Sequence, residues 1–208
     1  DYHLARMRKK VYDQRMRILK GENPRENMEY IIDSSIINLV DKNLPEESYN
    51  VSPRKKISKS GLNIDNLIVD AIETFGIDLT KAFEDGEFKR LRDVEEYLSK
   101  NAQQRYNEIR NNNGDKKQDE IDKGNIIGTI DSAWLDFNEN LDYIKFQNRL
   151  NSIAQSQNFD EIFAMKKGFN QAMIDSKIKM LGTMMGKTST KTRTIQDNSE
   201  VLDVDNTL

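Results

Sequence analysis

Residues 182–190 read Gly-Thr-Met-Met-Gly-Lys-Thr-Ser-Thr and are the stretch of this chain most like a phosphate-binding loop. A Walker loop is G-x-x-x-x-G-K-[ST]. Its length lets successive backbone N–H groups curl around phosphates while the lysine reaches the terminal ones. Here Gly182 and Gly186 enclose three residues, not four, before Lys187 and Thr188. The setting also differs, because such a loop joins a buried strand to a helix. Residues 174–181 read as helix, with Lys177 and Lys179 inside it, and no apolar run follows Thr190. The spacing predicts instead that Gly182 or Gly186 stops a helix and that a polar tail begins there.

Other chemistry-bearing residue types are scarce. There is no cysteine, which removes disulfides and thiolate metal sites. The single histidine, His3, has no partner at metal-ligand spacing and reads as a surface residue in a basic segment. No nucleophile–base pair of the usual kinds can be assembled. No Glu-x-x-His pair exists for a di-metal bundle. The segment DVDNTL (203–208) begins like a calcium loop but lacks the central glycine and the closing glutamate. The expectation is no catalytic, cofactor or metal residue in this chain.

Composition then bounds the scaffold. Of 208 residues, 32% are charged, above the roughly 25% usual in globular domains. Only 10 Gly and 3 Pro interrupt the chain, which favours helices throughout. The net charge of −3 gives no global drive toward nucleic acid. No apolar run approaches the ~20 residues that span a bilayer, and no signal peptide is evident. A cytosolic protein is expected, able to lie against a membrane surface.

The pattern along the chain predicts an all-α fold. Residues 1–20 mix Tyr2, Leu4, Val11, Met16 and Leu19 with seven Lys/Arg, like a helix entered midway, so a fragment of something larger is expected. Residues 26–42 carry one apolar face at helical spacing, as do residues 64–75, which Gly76 stops. Between them, residues 42–61 read as a loop. A short helix is expected over 78–84 and a long charged one over 87–111, with residues 111–117 as a loop. Ile127, Ile130, Trp134, Phe137, Leu141 and Ile144 alternate spacings of three and four, a seam for an antiparallel partner. Residues 148–158 read as a turn, and Asn158 with Glu161 resembles a capping box for a helix to Leu181. The two arms would form an αα-hairpin. Residues 186–208 are polar and aperiodic and are expected to be disordered.

Three stretches resemble one family. DYHLARMRKKVYDQR (1–15) fits the pattern D-x-x-x-x-x-x-R-x-x-[IV]-Y-x-Q-R through Asp1, Arg8, Val11, Tyr12, Gln14 and Arg15. Ile130-Asp131-Ser132-Ala133-Trp134 fits I-D-x-x-W, and Leu141-Asp142-Tyr143-Ile144-Lys145 is similar to the M-D-x-L-R that follows. Ala154-Gln155 falls on an alanine–glutamine pair further on. In order and spacing they resemble SecA, the motor ATPase of bacterial preprotein translocation.

The resemblance implies an architecture: the end of the scaffold helix over 1–20, carrying Arg8, Tyr12 and Arg15; a helical wing over 21–124; and a two-helix finger over 125–185. Trp134, Phe137, Leu141 and Asp142 would pack the finger and restrain the motor domains. Ile153, Ala154, Gln155 and Ser156 would form a tip that meets the exported polypeptide at the membrane channel. The implied partners are exported preproteins, the membrane channel, the motor domains of the same protein and a possible homodimer, without nucleic acid. ATP and Mg would belong to the motor domains, not to these residues, and the location would be the cytoplasmic face of the membrane. Ile153 stands where the family usually has Tyr, and Phe137 where it has His. With no Cys/His zinc tail, this suggests an accessory SecA paralogue of the Gram-positive kind. Read without the resemblance, the residues leave open a helical protein-interaction scaffold or, from the basic first helix, a nucleic-acid binder.

Overall fold

In the computed structural model, residues 2–44, 63–155 and 161–186 are described, and among them the chain is helical without strands. The elements are α1 (Tyr2–Leu19), α2 (Pro24–Asn43), α3 (Ile64–Phe75), α4 (Thr80–Glu84), α5 (Leu91–Asn113), α6 (Asp115–Glu139), α7 (Leu141–Gln155) and α8 (Glu161–Met185). The loop expected over 42–61 and the tail expected over 186–208 lie almost wholly outside the described residues.

Local chemistry sets several of these boundaries. Asn23 caps α2, its side chain accepting from the Arg25 N–H at 3.1 Å, and Pro24 sits in the first turn, where a missing N–H costs nothing. Asp93 accepts from the N–H groups of Lys89 (2.9 Å) and Arg90 (2.8 Å) and so fixes the entry to α5. Gly76 ends α3 at φ +69°, a left-handed conformation that favours glycine.

The core forms around α2 and α6. Met28, Ile32, Ile36, Leu39 and Val40 of α2 are buried with Leu67, Ala71 and Phe75 of α3 and Val94, Leu98 and Ala102 of α5. Helix α6 packs against α1, α2, α5 and α8, and α8 in turn packs against α2, α3, α6 and α7. The expected wing–finger boundary at 124/125 falls inside α6, so one uninterrupted helix passes from one part to the other.

Residues 111–117 differ from the expected loop: only Gly114, at φ +81°, stands between α5 and α6. A buried polar cluster accounts for so tight a corner. Arg110 is 4% exposed and Asp122 is fully buried. Arg110 donates to Asp122 at 3.1 Å, Asp115 at 3.0 Å and Asp119 at 2.8 Å. Tyr106 donates to the same Asp122 carboxylate at 2.5 Å and Gln118 donates to its other oxygen at 2.7 Å. Each acceptor lies in the first turns of α6, so the guanidinium of α5 pins the two helices together. Burial holds the Tyr106 hydroxyl and the Asp122 carboxyl above their ordinary pKa values. Burial acts to lower the Arg110 pKa, but hydrogen bonds led by the one Arg110 donates to Asp119 overcome it and raise it.

Two mutational outcomes follow. Arg110→Met strands a buried carboxylate and should lower unfolding free energy in a urea titration by about 3 kcal/mol or more, whereas Arg110→Met with Asp122→Leu should recover much of that loss. Gly76→Ala should cost about 2 kcal/mol, because it combines left-handed backbone with a new methyl 2.7 Å from the Met185 carbonyl oxygen.

Candidate functional site

The seam residues converge on α8. Trp134 and Phe137 of α6 meet Phe169 of α8 with ring centroids 6.0 and 5.7 Å apart in edge-to-face geometry, and Trp134 lies 5.7 Å from Phe137. Such ring pairs add about 0.5–1.5 kcal/mol each to what burial supplies. Phe137 is fully buried, while Trp134 and Leu141 are half-buried.

The first arm is not one helix. It breaks at Asn140 between α6 and α7, although the apolar spacing continues from Phe137 through Leu141 to Ile144. Asn140 caps α6 with its N–H on the Asp136 carbonyl, and its own carbonyl accepts from the Ile144 N–H at 2.9 Å. Spacing alone does not distinguish a helix from two helices that keep phase. Past the break, α7 still follows α8, because Ile144 seats on Gly168. A Cβ at Gly168 would lie 2.5 Å from Ile144 Cδ1. A glycine that weakens a helix by roughly 1 kcal/mol in isolation is here the place where the second arm admits a side chain of the first.

The turn expected over 148–158 also differs. Helix α7 continues to Gln155, through a stretch free of Gly and Pro that nothing local would stop. Ile153, Ala154 and Gln155 therefore end a helix. Ser156, like the Asn158 half of the capping box, lies outside the described residues. Asp142 is exposed near the start of α7. One face of α7 presents Tyr143 (63% exposed), Phe146 (55%) and Leu150 (45%), and at the start of α8 Phe163 is also exposed. The offsets of three and four put the α7 residues in one stripe along the helix.

Helix α1 lies on α6 through buried Val11 and Ile18. Arg15 and Asp131, members of two sequence motifs more than a hundred residues apart, form an ion pair at 3.4 Å. Both are nearly half exposed, so the pair fixes register more than it stabilises. Arg8 and Tyr12 are exposed on α1, and His3 is exposed at the edge of a groove between α1 and α8.

The glycines of the phosphate-loop look-alike have a packing role. Helix α8 passes through Gly182 and ends at Met185. A Cβ at Gly182 would lie 3.1 Å from the Glu73 carbonyl oxygen, and one at Gly186 would collide with that same oxygen. Arg105 of α5 donates from Nε to the Met185 carbonyl at 2.9 Å, satisfying the helix end with a cation where the helix dipole favours one. Lys187 and Thr188 lie outside the described residues. Sequence reading leaves the stop at Gly182 or Gly186, and the structure carries α8 past Gly182 to Met185; nothing in the sequence signals Glu73 or Arg105, which are distant in the chain. Among the described residues there is no cluster of side chains suited to a metal ion, and no helix is long and apolar enough to cross a membrane.

This arrangement can be set beside known proteins. Over 142 residues, 68% of the chain, it is 26% identical to the protein translocase subunit SecA of Heliobacterium modesticaldum. Over 154 residues, 74% of the chain, it is 26% identical to the protein translocase subunit SecA of Orientia tsutsugamushi. In each case the match covers 16% of the relative, so the chain spans about a sixth of their length. The family model for the SecA wing and scaffold domain matches residues 1–185, every described element included. Matched by that model over most of its length, this chain belongs to the SecA wing and scaffold family.

Proposed function

We propose that the chain serves as the wing and finger of a protein translocase motor, with the α6–α7 arm and α8 as a finger that touches polypeptide in transit. In this reading residues 1–20 end the scaffold helix, residues 21–124 form the wing and residues 125–185 the finger, with α6 shared between the last two. The observation that carries the proposal is the exposed stripe Tyr143, Phe146 and Leu150, which leads along α7 toward Gln155. A motor must hold many unrelated sequences weakly, and exposed aromatic and aliphatic side chains on a rigid rod do this without reading sequence. The packing of Trp134 and Phe137 on Phe169 supports the rigidity such a rod requires.

Helix α1, tied to α6 at Arg15–Asp131, offers a route by which finger and scaffold move together and by which the finger restrains motor domains. ATP and Mg are assigned to those domains, as are the channel at the cytoplasmic face of the membrane and a possible homodimer to the assembled motor. Ile153 at the end of α7 and the Phe at 137 favour an accessory member of the family with its own subset of exported proteins.

In the intact motor, a photo-crosslinker at position 153 or 155 should capture a stalled exported chain. Capture only from positions far from α7 would remove the finger assignment and leave a general interaction scaffold. Phe146→Asp with Leu150→Asp should reduce translocation severalfold while leaving the unfolding free energy of this chain within about 0.5 kcal/mol, since both side chains are exposed. The chain alone should show no ATP turnover in a phosphate-release assay.

A further inference from the structure

Two glycines inside α6 have no use within the chain. A Cβ at Gly168 or Gly182 of α8 would press on a neighbouring element, whereas one at Gly124 or Gly128 of α6 would meet nothing within 4 Å. Glycine weakens a helix interior, and at these two positions no close contact offsets that cost. Both are exposed, and both line a slot of about 440 Å³ between α6 and α8. On the α8 wall of that slot Ser176 is 5% exposed, and its hydroxyl has no hydrogen-bond partner among the described residues. Backbone open to close approach beside a buried, unsatisfied hydroxyl points to a group that one chain does not supply.

The stripe that carries these glycines has the same spacing in both directions. Ile121, Gly124, Gly128, Ser132 and Leu135 follow one another at offsets of three and four, which puts them on one face of α6. Ile121 and Leu135 each stand seven residues from Gly128, and both are exposed. Gly124 and Ser132 each stand four from it. Farther out on the same face, Lys117 and Glu139 each stand eleven from it. Both are exposed, and neither has an ion-pair partner among the described residues. A two-fold axis at Gly128 therefore lays a second, antiparallel α6 on the first with matched chemistry at each level. Gly128 meets Gly128, Gly124 meets Ser132, Ile121 meets Leu135, and Lys117 faces Glu139 at both ends. A parallel pairing would set like charges against each other at both ends.

We propose that two copies of this chain associate through an antiparallel, two-fold contact of α6 with α6, seated in the slots beside α8. From Lys117 to Glu139 the stripe is about 33 Å long at the helical rise. One helix pair of that length makes a small interface of the weak, transient kind. The inference goes beyond assigning a homodimer to the assembled motor, because it fixes the surface, the direction and the register. Its failure would leave crosslinking from the finger untouched.

Sedimentation equilibrium of the full chain should show reversible dimerisation as concentration rises to about 1 mM. Gly128→Leu fills the open space and strengthens the helix, so the melting temperature should hold or rise while dimerisation weakens about tenfold or more. Lys117→Glu should weaken it severalfold, and Lys117→Glu with Glu139→Lys should restore it, since the double exchange forms both pairs again. Direction is read from disulfides, because the chain has no cysteine of its own. A mixture of Ile121→Cys chains and Leu135→Cys chains should oxidise to the mixed dimer in preference to either homodimer. A chain still monomeric at about 1 mM overturns the proposal and leaves the slot to a helix of another protein. Dimerisation that survives Gly128→Leu, a charge exchange that restores nothing, or homodisulfides that form as fast as the mixed one overturns it as well.

Discussion

The structure depends on how closely α8 can lie against its neighbours. At Gly168 it receives Ile144, and at Gly182 and Gly186 it lies against the carbonyl of Glu73 at the end of α3. A side chain at any of these positions would hold the backbones apart. Because helices meeting at glycine approach within reach of many more atoms, the gain in dispersion and burial offsets what glycine costs a helix. One helix is thereby fastened to α7 near its start and to α3 near its end. Helices α3 and α7, distant in sequence, are held in one packed unit through it.

Polar chemistry does a different job at the α5–α6 corner. Burying Arg110 with Asp122 is expensive, and such a cluster contributes little net stability over an apolar one of similar shape. It does impose direction. A guanidinium whose partners are Asp115, Asp119 and Asp122 meets all three in one register of α6 against α5, and a slide of either helix would leave buried charge unpaired. The same holds at lower cost for Arg105 on the end of α8, where a misplaced α5 would leave the Met185 carbonyl without its donor. Apolar packing drives the helices together, and these charged contacts select among the ways they could meet.

Function follows from what this packing leaves outside. The aromatic contact among Trp134, Phe137 and Phe169 consumes the large apolar side chains of α6 that face α8. Tyr143, Phe146 and Leu150 face away and find no place in the core. These exposed apolar residues, at offsets of three and four on a braced helix, are what the proposed finger reading rests on. Helix α1 adds the opposite character, a basic edge beside an apolar trough. The molecule thus carries an exposed apolar stripe on α7 and a basic edge on α1.

Much of this was legible beforehand. Periodic apolar residues located α2, α3, α5 and α8 to within a few residues, because one-sided burial leaves a helical period in the sequence, whereas α6 begins some ten residues before the expected arm. Gly76 marked a helix end for a local reason, the shortage of other residues that adopt left-handed backbone. The motif residues from Arg15 to Trp134 identified the family by order and spacing. The break at Asn140 was not legible, since two helices kept in phase present the same pattern as one. Nor was the extension of α7 to Gln155, where polar composition suggested a turn but no breaker enforced it. The roles of Gly168, Gly182, Arg105 and Arg110 depended on atoms brought from elsewhere in the chain. Sequence by itself determined which segments are helical and which face of each is apolar, because those are short-range consequences of backbone and hydrophobic period. Tertiary structure alone decided which faces meet, at what distance and in what register, because those depend on contacts between residues that only folding brings together.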